Sequence, residues 1–134
     1  MSPNRAPASF PPVPDRYAVI AQVGRGASGT VFKARDRVIG RFVALKRLDL
    51  SQAADEEERE TLRQRFVREA QTAGRLAHRN VVTVYDVVKD APDGATLLVM
   101  EWVEGESLKS RLTREKPLPP ELVVDIASQV AEGL

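Results

Sequence analysis

No cysteine occurs in this chain, and only one histidine, His78. Without thiols there is no disulfide, no thiolate metal centre and no cysteine nucleophile, and a single imidazole cannot build a histidine-rich metal site. The lack of cysteine is compatible with a reducing compartment. Charge of one sign is lacking too: 20 Lys and Arg stand against 19 Asp and Glu, a formal net charge of +1. Such a balance offers nothing to attract nucleic acid or an anionic membrane. Long apolar runs are also missing. None approaches the ~20 residues that span a bilayer, and Met1–Pro14 has no apolar signal-peptide core. These absences lead to an expected cytoplasmic location, with no nucleic-acid partner and no membrane contact from this segment. What the chain does have is 134 residues, 43% apolar and 29% charged, the size and composition of one soluble globular domain.

Pro3, Pro7, Pro11, Pro12 and Pro14 crowd the start of the chain. Such a stretch forms neither ladder nor helix, so a mobile, partly polyproline tail is predicted over residues 1–15. From Tyr17 the pattern is strand-like through residue 23, again over residues 30–34, and again over residues 41–46 after a turn at Gly40. Residues 53–77 read as a long helix. Residues 81–88 and 96–100 read as two more strands around the turn signal Ala91-Pro92-Asp93-Gly94. A short helix over residues 107–113 follows Gly105. Pro117, Pro119 and Pro120 then break the chain before a last helix through Leu134.

Gly24, Gly26 and Gly29 form a G-x-G-x-x-G turn between the first two strands. Glycines at this spacing let backbone N–H groups approach phosphate oxygens with no Cβ in the way. One fold that uses the pattern opens a helix at the third glycine and places an acidic residue about 20 positions later to bind ribose. Asp49 stands 20 residues after Gly29. The segment between argues against that reading, because Thr30-Val31-Phe32 is a poor helix start and a good strand. A strand–turn–strand arrangement is the expectation; taken alone, the motif is a plain hairpin loop as readily as a turn folded over phosphates.

In the third strand Ala44 and Lys46 point to one face, and Val43 and Leu45 to the other. A small side chain and an ammonium thus share a surface, with room for a flat ring beside a positive charge for phosphate. On the long helix Leu62, Phe66, Glu69, Ala73 and Leu76 are spaced four, three, four and three, as along one seam. A carboxylate in a buried seam is costly unless paired, and Lys46 is the candidate cation. The other reading of the spacing puts Glu69 at the seam's edge, in water. The acidic run Asp55–Glu58 is a solvated helix start, favoured by the helix dipole.

Residues 16–134 resemble the start of a eukaryotic-like serine/threonine protein kinase domain of bacterial type. The likeness runs through V-G-R-G-A-S-G-T-V, V-A-L-K, F-V-R-E-A, H-R-N-V-V and L-V-M-E-W-V-E-G-E-S-L, in that order. It implies an α+β fold. A five-stranded antiparallel sheet with one large helix forms the N-lobe (residues 16–100), a hinge follows (101–106), and residues 107–134 begin a helical C-lobe. It implies ATP and Mg²⁺ as cofactors and a protein as substrate. The loop Gly24-Arg25-Gly26-Ala27-Ser28-Gly29-Thr30 would cover the phosphates. Val23, Val31 and Ala44 would wall the adenine slot, with Met100 at its back. Lys46 would hold the α- and β-phosphates and Glu69 would hold Lys46. The backbone of Glu101 and Val103 would meet the adenine edge, and Glu106 or Ser107 would lie near the ribose. Trp102 replaces a more usual tyrosine or phenylalanine in the hinge, and His78-Arg79-Asn80 stands where His-Pro-Asn is common.

None of the 134 residues supplies the family's catalytic base, its metal-binding asparagine or its metal-binding aspartate. The chain is therefore expected to be the ATP-binding piece of a longer kinase, inactive by itself, with the Mg²⁺ ligands and any membrane anchor of the parent beyond residue 134. Leu122, Ile126, Val130 and Leu134 are expected to face a C-lobe core outside these residues. The alternative is a kinase-like module that binds nucleotide or a partner without transferring phosphate.

Overall fold

The computed structural model describes residues 10–134. Eight elements follow in chain order: β1 (Tyr17–Arg25), β2 (Gly29–Asp36), β3 (Arg41–Leu48), α1 (Glu56–Gly74), β4 (Val84–Val88), β5 (Leu97–Glu101), α2 (Leu108–Arg114) and α3 (Pro120–Gly133). The five strands form one antiparallel sheet in the order β1-β2-β3-β5-β4. The element order and the α+β class agree with the sequence reading. The boundaries differ by a few residues, most at the start of β4 and at both ends of α1.

Strand β3 is central, paired with β2 on one side and β5 on the other. Its alternation therefore divides the sheet. Val43 and Leu45 are fully buried and stand opposite Ala34 and Phe32 of β2, with Val99 of β5 beyond Leu45. Together with Tyr17 these residues form the main apolar cluster. Phe10 and Val13 pack against it from the N-terminal side, and the Phe10 ring meets Phe32 edge-on at 6.1 Å between centroids. The predicted mobile tail is thus corrected from Phe10 onward. Prolines at 11, 12 and 14 forbid pairing but not an extended path across a face that would otherwise expose aromatic surface. The rest of the predicted tail lies outside the described residues.

A bidentate ion pair fastens this segment to the far end of β2. Arg16 Nε donates to Asp36 Oδ1 at 3.0 Å and Arg16 Nη2 to Oδ2 at 2.8 Å. Asp36 is buried and also accepts the N–H groups of Val38 and Ile39 in the β2–β3 turn. The Arg16 guanidinium, opposed by burial and helped by the Ile39 and Val38 N–H groups, lowers the Asp36 carboxyl to about 2.

Helix α1 opens on Asp55, whose side chain accepts from the Glu58 N–H, while the Glu58 carboxylate accepts from the Ala54 N–H. This reciprocal cap explains why the helix starts at Glu56 and not at the predicted residue 53. The acidic run is its solvated first turn, as read from the sequence. The helix rests mainly on β4 and buries Phe66 and Ala70. Its C-terminal end runs into the loop His78–Asn80, which docks on α3. Asn80 Nδ2 donates to the Gln129 carbonyl at 2.9 Å, Arg79 pairs with Glu132 at 3.0 Å, and the Gly133 Cα lies so close that a Cβ there would stand 3.2 Å from the Asn80 carbonyl oxygen. Ser107 caps α2 by accepting from the Ser110 N–H, and Pro120 begins α3. Of the four residues expected to lack cover, Val130 of α3 and Leu134 just beyond it are exposed, whereas Leu122 and Ile126 are half-buried. No helix among the described residues is long and apolar enough to cross a membrane.

Two expectations follow for stability. Asp36 titrates near 2 when folded and near 3.9 when unfolded. Its contribution is therefore complete above the unfolded value and lost as pH falls toward the folded one. The gap in melting temperature between wild type and Asp36→Asn should be wide at neutral pH and narrow as the solution is acidified through that window; a constant gap would show that the pair is not the source. Phe10→Ala should cost about 1–3 kcal/mol in urea unfolding, less than a fully buried phenylalanine because Phe10 is half-exposed.

Candidate nucleotide-binding site

The β1–β2 turn closes through a hydrogen bond from the Gly26 N–H to the Gly29 carbonyl at 2.9 Å. Its three glycines are glycine for different reasons. At Gly29 a Cβ would stand 2.0 Å from the Arg47 carbonyl oxygen, so the pairing of β2 with β3 itself forbids a side chain. At Gly24 and Gly26 nothing lies within 4 Å of where a Cβ would be, and neither has a positive φ. The fold makes no demand for glycine at those two positions. They leave an open backbone surface at the end of β1.

Cross-strand register then assembles one face. Val31 stands opposite Lys46 and Ala44 opposite Met100. Since Ala44 and Lys46 share a face, all four side chains do, on the side of the sheet away from the Phe32–Leu45 cluster. Ala44 is buried, whereas Val31, Lys46 and Met100 are half-buried. Val23 falls in a β1 irregularity between Gln22 and Gly24 and is 47% exposed, at the open mouth of this face. Arg25, Ala27 and Ser28 are exposed along the turn, and Thr30 is half-buried where β2 begins.

The Lys46 ammonium forms no hydrogen bond or ion pair with any described residue. It lines a cavity of about 200 Å³ with Ser28, Phe66, Glu69, Ala70, Ala73 and Leu98. Glu69 reaches the same cavity but is exposed and makes no ion pair with Lys46. The seam spacing needs correction here. The buried line of α1 runs through Phe66 and Ala70, with Leu62 and Ala73 half-buried, while Leu76 lies beyond the helix end and is 54% exposed. Glu69 flanks that line, as the edge reading of the spacing had it, and its carboxylate stays in water. A second cavity, about 420 Å³, opens between the glycine turn and α1 and shares Ser28, Phe66 and Glu69 with the first. A third cavity, about 510 Å³, lies behind α1 and mixes Arg63, Arg68 and Lys89 with Glu60 and Asp90, with no convergent charge.

At the far end of the face β5 gives way to the hinge. The Glu101 N–H is taken by the Thr83 carbonyl at 2.8 Å, and its carboxylate accepts from the Thr83 N–H at 3.1 Å. Val103 is 58% exposed, and its backbone has no hydrogen-bond partner among the described residues. Glu106 pairs with Arg114, which holds its carboxyl below the usual range, and Ser107 is committed to capping α2. Asp49, the residue that favoured a dinucleotide-binding reading, accepts from the Ser51 N–H at 2.9 Å. With Gly29 opening a strand and not a helix, that reading has no structural footing.

One side chain escaped the sequence reading. Lys33 of β2 stands opposite Ala44, on the same face as Lys46. Its Nζ lies 4.5 Å from the centre of the Phe42 ring, 4.7 Å from that of Trp102 and 3.7 Å from a Glu104 carboxylate oxygen. Alternation from Val31 would have placed Lys33 on this face; its partners come from β3 and the hinge, which no local pattern joins.

A five-stranded antiparallel sheet with one long helix, a glycine turn between its first two strands, and a connection from β5 into helices define a protein kinase N-lobe with the beginning of its C-lobe. The family model described as the protein kinase domain matches residues 17–134, and the chain belongs to that family. Among curated proteins it is 39% identical over 124 residues to the probable serine/threonine-protein kinase PknB of Corynebacterium glutamicum, covering 91% of this chain and 19% of that protein. It is 36% identical over 119 residues to the serine/threonine-protein kinase PrkC of Bacillus subtilis, with 89% and 17% covered. It is 42% identical over 119 residues to the serine/threonine-protein kinase pkn3 of Myxococcus xanthus, with 89% and 21% covered. The chain thus spans about a fifth of the length of these relatives. Among solved structures, the kinase domain of Mycobacterium tuberculosis PknI (a C20A_R136N double mutant) superposes with a TM-score of 0.71 at 31% identity, over 88% of this chain and 46% of that one.

The three glycines should separate experimentally. Gly29→Ala should destabilise the fold strongly or prevent it, whereas Gly24→Ala should leave the melting temperature within about 2 °C of wild type, an open site with no strained backbone. Equal losses in the two variants would overturn the distinction.

Proposed function

We propose that residues 16–134 form the ATP-binding part of a serine/threonine protein kinase that transfers the γ-phosphate to a protein hydroxyl. The observation that carries this reading is Lys46: a half-buried cation with no partner among the described residues, on the face shared by Val31, Ala44 and Met100, below a turn whose Gly24 and Gly26 the fold does not require. A half-buried ammonium without an acceptor is costly, and a phosphate oxygen in the cavity it lines would satisfy it. The donor set fits ATP. The turn from Gly24 to Thr30 would cover the phosphates with the Ala27 and Ser28 N–H groups at its tip, Lys46 would hold the α- and β-phosphates, and Val23, Val31, Ala44 and Met100 would enclose the adenine. The Glu101 carbonyl and the free backbone of Val103 would meet the adenine edge.

Glu69 is assigned as the group that orients Lys46 once α1 moves toward β3. Both residues already line one cavity, and helix displacement of this kind is a common switching motion. ATP bound with Mg²⁺ supplies the transferable phosphoryl group and the charge neutralisation that phosphoryl transfer needs; no residue of this chain is assigned as a metal ligand. By themselves these residues bind nucleotide and transfer nothing, since none is assigned to orient an acceptor hydroxyl. The serine/threonine assignment rests on the names of the relatives, and a protein substrate and a cytoplasmic location belong to the same reading.

Binding measurements on the 134-residue chain test the site. ATP should compete with a labelled adenine nucleotide and NAD should not. Lys46→Met should weaken ATP by about 10- to 100-fold, the worth of one charge-assisted hydrogen bond, and leave adenosine and the melting temperature nearly unchanged. Preferential NAD binding, or equal losses for ATP and adenosine, would overturn the assignment.

A further inference from the structure

Lys33 lies on the nucleotide face, yet nothing in the proposed chemistry uses it. Its side chain is 23% exposed, and its ammonium is held by two aromatic rings and one carboxylate. The contacts have a direction. Phe42 belongs to β3, while Trp102 and Glu104 belong to the hinge, and they bracket Val103 on both sides. The Trp102 indole N–H also donates to Glu104 Oε1 at 2.9 Å, which closes the bracket on itself. Lys33 is therefore a cross-link between sheet and hinge. It ties residues 102 and 104 to β2 at the register position of Ala44, the floor of the adenine slot. The separation between that floor and the Val103 backbone is what a planar base must match.

We propose that Lys33 is a positioning residue for adenine: clamped by Trp102, Phe42 and Glu104, it fixes the hinge backbone around Val103 at the spacing that accepts the base. This rests on the reading of the face as an ATP site and adds to it a determinant of base affinity. The clamp acts through the hinge, so its loss weakens every ligand that carries the adenine, in equal proportion, whether or not it carries phosphate. A lysine that served the phosphates, as Lys46 is assigned to do, would discriminate between the two.

Trp102 is the only tryptophan of the chain, so its emission reports on this cluster alone. Adenosine and ATP would be titrated by calorimetry against the 134-residue wild type and the variants Lys33→Met, Lys33→Arg and Trp102→Leu, with Trp102 emission recorded for the first three. Lys33→Met keeps the aliphatic stem and removes the cation. It should weaken adenosine and ATP by the same factor, about three- to tenfold, and change the Trp102 emission before any ligand is added. Lys33→Arg keeps a cation over the rings and should stay within about twofold of wild type. Trp102→Leu should lose both ligands as Lys33→Met does, and carries the same expectation if Lys33→Met fails to fold. Wild-type affinity for both ligands in Lys33→Met, or a loss confined to ATP, would overturn the clamp while leaving the ATP site standing. A wild-type chain that binds neither ligand would overturn the ATP site, and the clamp with it.

Discussion

The pairing of β3 on both of its edges is the constraint from which the rest is built. Once β2 and β5 are hydrogen-bonded to it in register, strand alternation alone decides what each of its residues can be. Val43 and Leu45 go to the apolar cluster, and Ala44 and Lys46 go to the opposite face, the one proposed to bind nucleotide. A slip by one residue would exchange the two sets, driving Lys46 into the cluster and Leu45 into water. Gly29 guards that register, because only a residue without a Cβ can lie beside the Arg47 carbonyl. The glycine turn is therefore held in place by the strand that carries the lysine beneath it. Phe10, Val13 and the Arg16–Asp36 pair close the opposite side and leave the site face without a cover of its own.

Helix α1 is governed differently. It packs mainly on β4, and its buried line passes beside Glu69, not through it. Glu69 can thus remain in water or approach Lys46 without unburying an apolar residue. Coupling of the helix to the lysine is a matter of rigid-body position, and the two cavities under the glycine turn are the space through which such a shift would pass.

Much of this was legible in the sequence because short-range patterns carried it. Strand alternation placed Ala44 and Lys46 together. The residues after Gly29 identified a hairpin and so disposed of Asp49 as a ribose ligand. Prolines marked the start of α3. What was not legible depended on contacts between distant segments. Spacing of four and three along α1 is satisfied by Leu62-Phe66-Ala70-Ala73 as well as by a line through Glu69, and only the tilt of the helix on the sheet selects between them. The proline-rich start read as a tail because prolines report what a chain cannot pair with, not what surface it can lie against. Lys33 went unread because Phe42 is brought to it by the pairing of β2 with β3, and Trp102 and Glu104 by the pairing of β3 with β5.

The docking of the His78–Asn80 loop on α3 has a mechanical consequence. With Asn80 and Arg79 bonded to Gln129 and Glu132 near the end of α3, the α1 movement proposed above would pivot at the C-terminal end of that helix. Glu69 lies about 7 Å along the axis from Gly74, and Glu56 about 27 Å, at 1.5 Å of rise per residue. The helix is a lever with its long arm at the acidic first turn. A displacement of about 4 Å there moves the Glu69 backbone by only about 1 Å, so a gentle push on the exposed end becomes a small, finely graded adjustment beside the lysine.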